Sequence, residues 1–146
     1  GFVEKLKKFN PEQKVVIAPA FRFQHLWDEE KSTNTNSDIL SILLTLTVMP
    51  EESFHMLNLV KDSLPKLDLS PLTVRVKPHP TMTAGMILKG LAEEWPDEFE
   101  IIGGSSTEHL RTEDILITGM SSIALEAMAL GVPAIVIEQS TGIQQC

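Results

Sequence analysis

Three short stretches of this 146-residue chain hold side chains able to bind or polarise a charged substrate. The first is Lys-Pro-His-Pro, from Lys77 to Pro80. Proline fixes its own φ and biases the residue before it toward extended backbone, so His79 is held stiffly between Pro78 and Pro80. An imidazole so held can donate a hydrogen bond to phosphate or carry a proton, and a purely structural histidine is the alternative. The second stretch is Gly-Gly-Ser-Ser, from Gly103 to Ser106, and the third is Gly-Met-Ser-Ser, from Gly119 to Ser122. Gly119 permits a tight turn or a close backbone approach. Ser121 and Ser122 stand where a helical pattern begins, and there unpaired N–H groups and the positive dipole end favour an anion. Their hydroxyls add donors without bulk. Either serine can instead be a plain N-cap. A capping box does not support that alternative, because Ala124 and Leu125 occupy the positions three residues on. Glu126 lies one helical turn after Ser122. A carboxylate is out of place against phosphate, so it is either a solvated surface group or an acceptor for a ribose diol.

These groups need elements to position them. Apolar runs at 14–18, 39–48, 72–76, 99–102, 114–118 and 134–137 read as strands. The run at 39–48 is ambiguous with helix, and its threonines and terminal valine tilt it toward strand. A helix opens at Pro50-Glu51-Glu52, where proline and acids suit a first turn. Phe54, Leu57, Val60 and Leu64 give it one apolar face. Further helices are expected over 83–94 and from the serine pair to Leu130, the latter stopped by Gly131 and Pro133. The polar stretch 32–38 reads as a loop. Strands alternating with helices imply a Rossmann-like, three-layer α/β domain with a mainly parallel sheet. Such sheets bind ligands beyond the carboxyl ends of their strands. All three stretches follow strands, so they are expected to share that edge.

Composition narrows the function. A hydrophobic content of 42% predicts a folded domain. A formal net charge of −8 argues against nucleic acid, which needs a basic surface, but leaves room for a small anion met by local donors. Cys146 is the single cysteine, so no disulfide closes within the chain and a reducing, cytoplasmic setting is expected. No apolar run approaches the roughly 20 residues of a membrane span, and the start of the chain lacks the order of a secretory signal. His25, His55 and His109 rank below His79, and no histidine pair has metal-ligand spacing, so no metal site is expected. The glycine fingerprint of dinucleotide sites, the phosphate-loop motif and the acidic cluster of phosphoacceptor receivers are all absent. No cofactor is predicted.

With these residues in view, Val-Lys-Pro-His-Pro (76–80) and Thr-Gly-Met-Ser-Ser-Ile-Ala-Leu-Glu-Ala-Met-Ala-Leu-Gly-Val-Pro (118–133) together resemble the carboxyl-terminal, nucleotide-sugar-binding domain of GT-B-fold glycosyltransferases. The pairing of His-Pro with Ser-Ser resembles bacterial sialyltransferases, capsule and surface-carbohydrate transferases, and the CDP-glycerol glycerophosphotransferases that build teichoic acids. The resemblance covers about residues 15–137. It implies a CMP-, CDP- or UDP-linked donor and a carbohydrate or lipid-linked acceptor. It implies that His79, as the catalytic candidate, contacts the donor phosphate together with Ser121 and Ser122, in a site that also holds Lys77 and Gly119. It implies that Gly104 and Ser105 lie near the base. Glu126 matches the ribose-binding glutamate of UDP- and GDP-sugar enzymes, whereas the CMP-using groups can take that contact from elsewhere. The resemblance further implies that residues 1–146 are one donor-binding domain of a larger two-domain protein, cytoplasmic and peripheral at the inner face of the membrane. Two alternatives carry the same fold: a nucleotide-sugar epimerase, and a non-enzymatic nucleotide-binding or interaction module. Epimerases of that group prefer a Ser-Gly-Gly turn where this chain has Gly-Met-Ser-Ser.

Overall fold

Five strands line up in the order β3-β2-β1-β4-β5, every neighbouring pair parallel. They are β1 (Leu40–Thr45), β2 (Leu72–Lys77), β3 (Phe99–Ile101), β4 (Ile115–Thr118) and β5 (Ala134–Val136). The helices are α1 (Phe2–Phe9), α2 (Pro50–Ser63), α3 (Ala84–Gly90), α4 (Ser106–Leu110) and α5 (Ile123–Ala129), with 3₁₀ turns at Phe21–Leu26 and Leu64–Lys66. This computed structural model describes residues 2–16, 21–26, 38–67, 71–90 and 95–138.

Successive parallel strands need crossovers, and the helices supply them. Strand residues alternate between the two faces, and each face meets its own core. Ile42, Leu44, Val74, Val76 and Ile117 pack with Met56, Leu57 and Val60 of α2 and Ile87 of α3. Leu43 and Leu116 pack on the other face with Leu26, Leu110 of α4, and Ile123, Ala127 and Leu130 around α5. Helices therefore cover both sides of the sheet, as in a Rossmann-like domain and in one half of a GT-B fold. Phe54 and Leu64, expected on the buried face of α2, are half-buried against the first core.

Of the run 39–48, Leu40–Thr45 is the strand β1, the form its threonines favoured, and residues 46–48 lie beyond it. Residues 14–16, expected to open the first strand, are irregular, and Val16 is 72% exposed. An apolar run makes a strand only when a neighbour supplies its hydrogen bonds, and the first described strand begins at Leu40. The rest of that expected strand, most of the 32–38 loop and residues 91–94 of the expected helix lie outside the described residues. Helices α1 and α4 were not expected.

A buried charge ties α4's end to the sheet. Glu113 is 1% exposed, and its Oε1 accepts a hydrogen bond from Arg75 Nη1 of β2. Among the described residues its Oε2 has no partner. Arg75 Nε also lies 3.8 Å from Glu100. Next to it, Asp114 Oδ2 accepts from the backbone N–H and the hydroxyl of Ser41, at 2.8 and 2.9 Å.

Candidate functional site

The strands end in step. Thr45 of β1 stands beside Lys77 of β2 on one side and Thr118 of β4 on the other. The loops leaving β1, β2, β3 and β4 therefore rise from one edge. Strand order reverses between β1 and β4, since β1 leads outward to β2 and β3 before the chain returns to β4. A crevice opens at such a switch point because the flanking loops diverge. Here it is a cleft of about 390 Å³. Its walls include Lys77, His79, Gly104, Ser105, Ser121, Ser122 and Glu126, with Thr45 from the end of β1. The three chemically promising stretches thus meet in one place.

His79 is pinned from one side. Its Nδ1 accepts from the backbone N–H of Thr81 at 3.3 Å and lies 2.8 Å from the Thr81 hydroxyl. A backbone N–H can only donate, so Nδ1 is the acceptor and the neutral ring carries its proton on Nε2. Nε2 has no partner among the described residues and remains a donor. Lys77 Nζ donates to the carbonyl of Pro78 at 3.1 Å. It faces no carboxylate among the described residues, which leaves a cation on this wall of the cleft.

The serine pair opens α5. Ser122 takes the N-cap position with helical backbone (φ −63, ψ −15) and makes no side-chain cap bond. Ser121 Oγ is 3.5 Å from the N–H of Ile123, at the outer limit of a hydrogen bond. A working N-cap has extended backbone and a short bond to the second or third N–H. Neither serine meets that description, so the capping alternative loses its geometry.

Gly119 does not line the cleft. A Cβ there would stand 2.6 Å from Thr47 Cγ2 and 3.4 Å from Met56 Sδ, so the missing side chain lets the β4 end lie against the β1–α2 connection. Gly104 does line it. Its φ of +79 is a left-handed conformation that favours glycine. His109, read from sequence as part of a polar connection, sits on α4 and donates from Nε2 to the Gly103 carbonyl at 2.7 Å. That bond braces the glycine turn.

Glu126 is no free surface group. Its Oε2 accepts from the Thr107 hydroxyl of α4 at 2.6 Å, which holds the carboxylate half-buried on the cleft wall. Oε1 has no partner among the described residues. The charged side chains of the cleft are therefore Lys77 and Glu126 on separate elements, with hydroxyls between them. On the floor, Thr45 and Thr118 are buried and share a 2.7 Å hydroxyl bond. Thr45, Thr81 and Thr107 went unread in the sequence, and His109 was ranked below His79; only Thr107's place directly after the Gly-Gly-Ser-Ser stretch hinted at a role. Among the described residues no group of three His, Cys, Asp or Glu could hold a metal ion. No helix of the described residues is long and apolar enough to cross a membrane.

No protein-family model matches the chain, and no curated protein matches it. Among solved structures it is similar to the glycosyltransferase SnogD from Streptomyces nogalater, with a TM-score of 0.54 at 20% identity. The match covers 86% of this chain and 30% of that one. It shows a shared fold: this chain has the architecture of part of that structure.

Proposed function

We propose that this chain is the donor-binding half of a glycosyltransferase or glycerophosphotransferase of bacterial surface-polysaccharide synthesis. The donor is CMP- or CDP-linked, with UDP as the third candidate. The acceptor, a carbohydrate or lipid-linked sugar, is held by a second domain, and the whole works in the cytoplasm, peripheral to the inner face of the membrane. One observation carries this reading: Lys77, His79, Ser121 and Ser122 converge in a single cleft at the switch point, with Glu126 on its wall. A donor phosphate finds four donors there: the Lys77 ammonium, the His79 Nε2 proton and the hydroxyls of Ser121 and Ser122. The His79 Nε2 proton is the one able to stabilise charge on the departing nucleotide phosphate. Gly104 and Ser105 border the base, and Glu126 accepts from the ribose diol. His-Pro beside Ser-Ser is the pattern behind the choice of a cytidine donor and of the sialyltransferase and CDP-glycerol groups.

The test is thermal unfolding with CMP, CDP, UMP, UDP and GDP. A ligand at one hundred times its Kd stabilises by about 2.7 kcal/mol. At about 2–4 °C per kcal/mol for a domain of this size, that raises Tm by about 5–11 °C. Shifts of that order with the cytidine nucleotides, and smaller ones with GDP, support the reading. No shift with any of the five sinks it.

A further inference from the structure

Among the described residues, no side chain of Val3–Phe9 in helix α1 belongs to either core. Leu6 is 42% exposed and Phe9 is 91% exposed. An eight-residue helix alone is marginal in water, because two turns barely repay nucleation. Helices of this kind persist when their apolar stripe is covered.

The charges around the stripe say what covers it. At 100° per residue, Val3, Leu6 and Phe9 fall on one arc, and Lys5 and Lys7 lie about 40° beyond either end of it. Lysines in that position bury their stems along apolar surface and lift their ammonium groups to a polar layer. Residues 1–16 hold four lysines against two glutamates, while the other residues hold eight basic against 18 acidic side chains. The one cationic segment of a strongly acidic chain thus coincides with the most exposed large apolar side chain among the described residues, Phe9. A narrow apolar stripe edged by lysines matches a flat surface that is oily inside and anionic outside.

We propose that α1 docks on an anionic phospholipid surface, with Leu6 and Phe9 entering the headgroup boundary and the flanking Lys5 and Lys7 meeting lipid phosphates. The acidic body is repelled by that same surface, so the helix acts as a tether and leaves the cleft in solution. The proposal rests on the peripheral placement in the reading above and gives that placement its contact surface. It makes no use of the cleft.

The test is co-sedimentation of the 146-residue chain with vesicles of phosphatidylcholine alone and with about 30% phosphatidylglycerol. The parent is expected to pellet with the anionic vesicles, to remain in solution with the neutral ones, and to be released by salt. Leu6→Ser/Phe9→Ser should weaken partitioning at least tenfold. Lys5→Gln and Lys7→Gln should each cost about fivefold, as expected for about 1 kcal/mol per cation near such a surface. Both sets of variants should unfold thermally as the parent does, because α1 lies outside both cores. Nucleotide affinity is measured without vesicles, so failure of the tether and failure of the donor reading are separate results. Failure to pellet with anionic vesicles overturns the proposal. So does equal partitioning of parent and Leu6→Ser/Phe9→Ser. A dimer in sedimentation velocity that the double variant abolishes overturns it as well, since the stripe would then cover a second copy of the chain.

Discussion

Replacing Ser121 and Ser122 together by alanine separates an anion site from a helix cap. The cost to stability follows from the geometry. Ser122 makes no cap bond, and the bond of Ser121 to the Ile123 N–H is 3.5 Å long. A well-formed cap is worth about 1 kcal/mol, so this one contributes less. The double variant should lose under about 1 kcal/mol, a shift of about 2–4 °C or less in Tm. The cost to binding is different in kind. A hydroxyl donating to a charged oxygen contributes about 1.5–3 kcal/mol. Two such bonds amount to about 3–6 kcal/mol if they add, and at least one full bond if they do not, which is a loss of at least tenfold in affinity. Calorimetry with CDP gives the affinity, and urea unfolding without ligand gives the stability. His79→Ala should show the same asymmetry, because the only bonds it loses among the described residues are the exposed Nδ1 contacts with Thr81, whereas binding loses the Nε2 donor. Equal CDP affinity in parent and double variant, with only stability reduced, would refute the reasoning and return the serines to a capping role.

Three further outcomes follow from single contacts. Gly119→Ala should destabilise by about 1–3 kcal/mol, because its Cβ meets Thr47 Cγ2 at 2.6 Å, and adding Thr47→Ser should recover most of that in urea unfolding. Arg75→Met leaves the Glu113 carboxylate buried without its cation and should cost about 3–5 kcal/mol, whereas Arg75→Met/Glu113→Leu should unfold near the parent's midpoint. Thr107→Val frees Glu126 from its 2.6 Å bond and should weaken CDP several-fold in calorimetry while leaving inorganic pyrophosphate unaffected; a matched loss for both would remove the ribose role of Glu126.

The carboxyl edge of the sheet was legible because its signals are local. A histidine between two prolines, a glycine pair and a serine pair each announce a chain reversal after an apolar run, and parallel crossovers bring such reversals to one edge. What holds those groups in place was not legible. Thr81 is two residues from His79, but nothing in the spacing says that its N–H turns back onto the ring. Thr107 and Glu126 are 19 residues apart and meet only because α4 and α5 lie side by side. Short α4 spans five residues, too few to show a helical period, so His109 read as part of a polar link. The Val15–Val16 pair carried strong strand propensity, yet propensity for strand is a preference for a half-buried pleated surface, and Val16 has none to join. The pairing of Arg75 with Glu113 spans 38 residues and needs the sheet to exist before the two can meet.

A net charge of −8 and a cleft suited to phosphate are compatible because fields in salt water are short-ranged. Charges more than about 8 Å apart are largely screened at physiological ionic strength. Phosphate in this cleft therefore responds to Lys77, His79 Nε2 and the donors at the start of α5, far more than to the carboxylates spread over the remaining surface. The one carboxylate on the cleft wall is Glu126. Thr107 draws one of its oxygens toward α4 and leaves the other for a hydroxyl donor, and a sugar diol suits that oxygen where a phosphate would be repelled. The cleft thus holds cationic and neutral donors, from Lys77, His79, Ser121 and Ser122, together with one carboxylate acceptor, Glu126. Under the proposed reading, a nucleotide would set its phosphate toward those donors and its ribose toward Glu126. That orientation would set the donor phosphate against His79, where its Nε2 proton can meet the charge on the departing nucleotide.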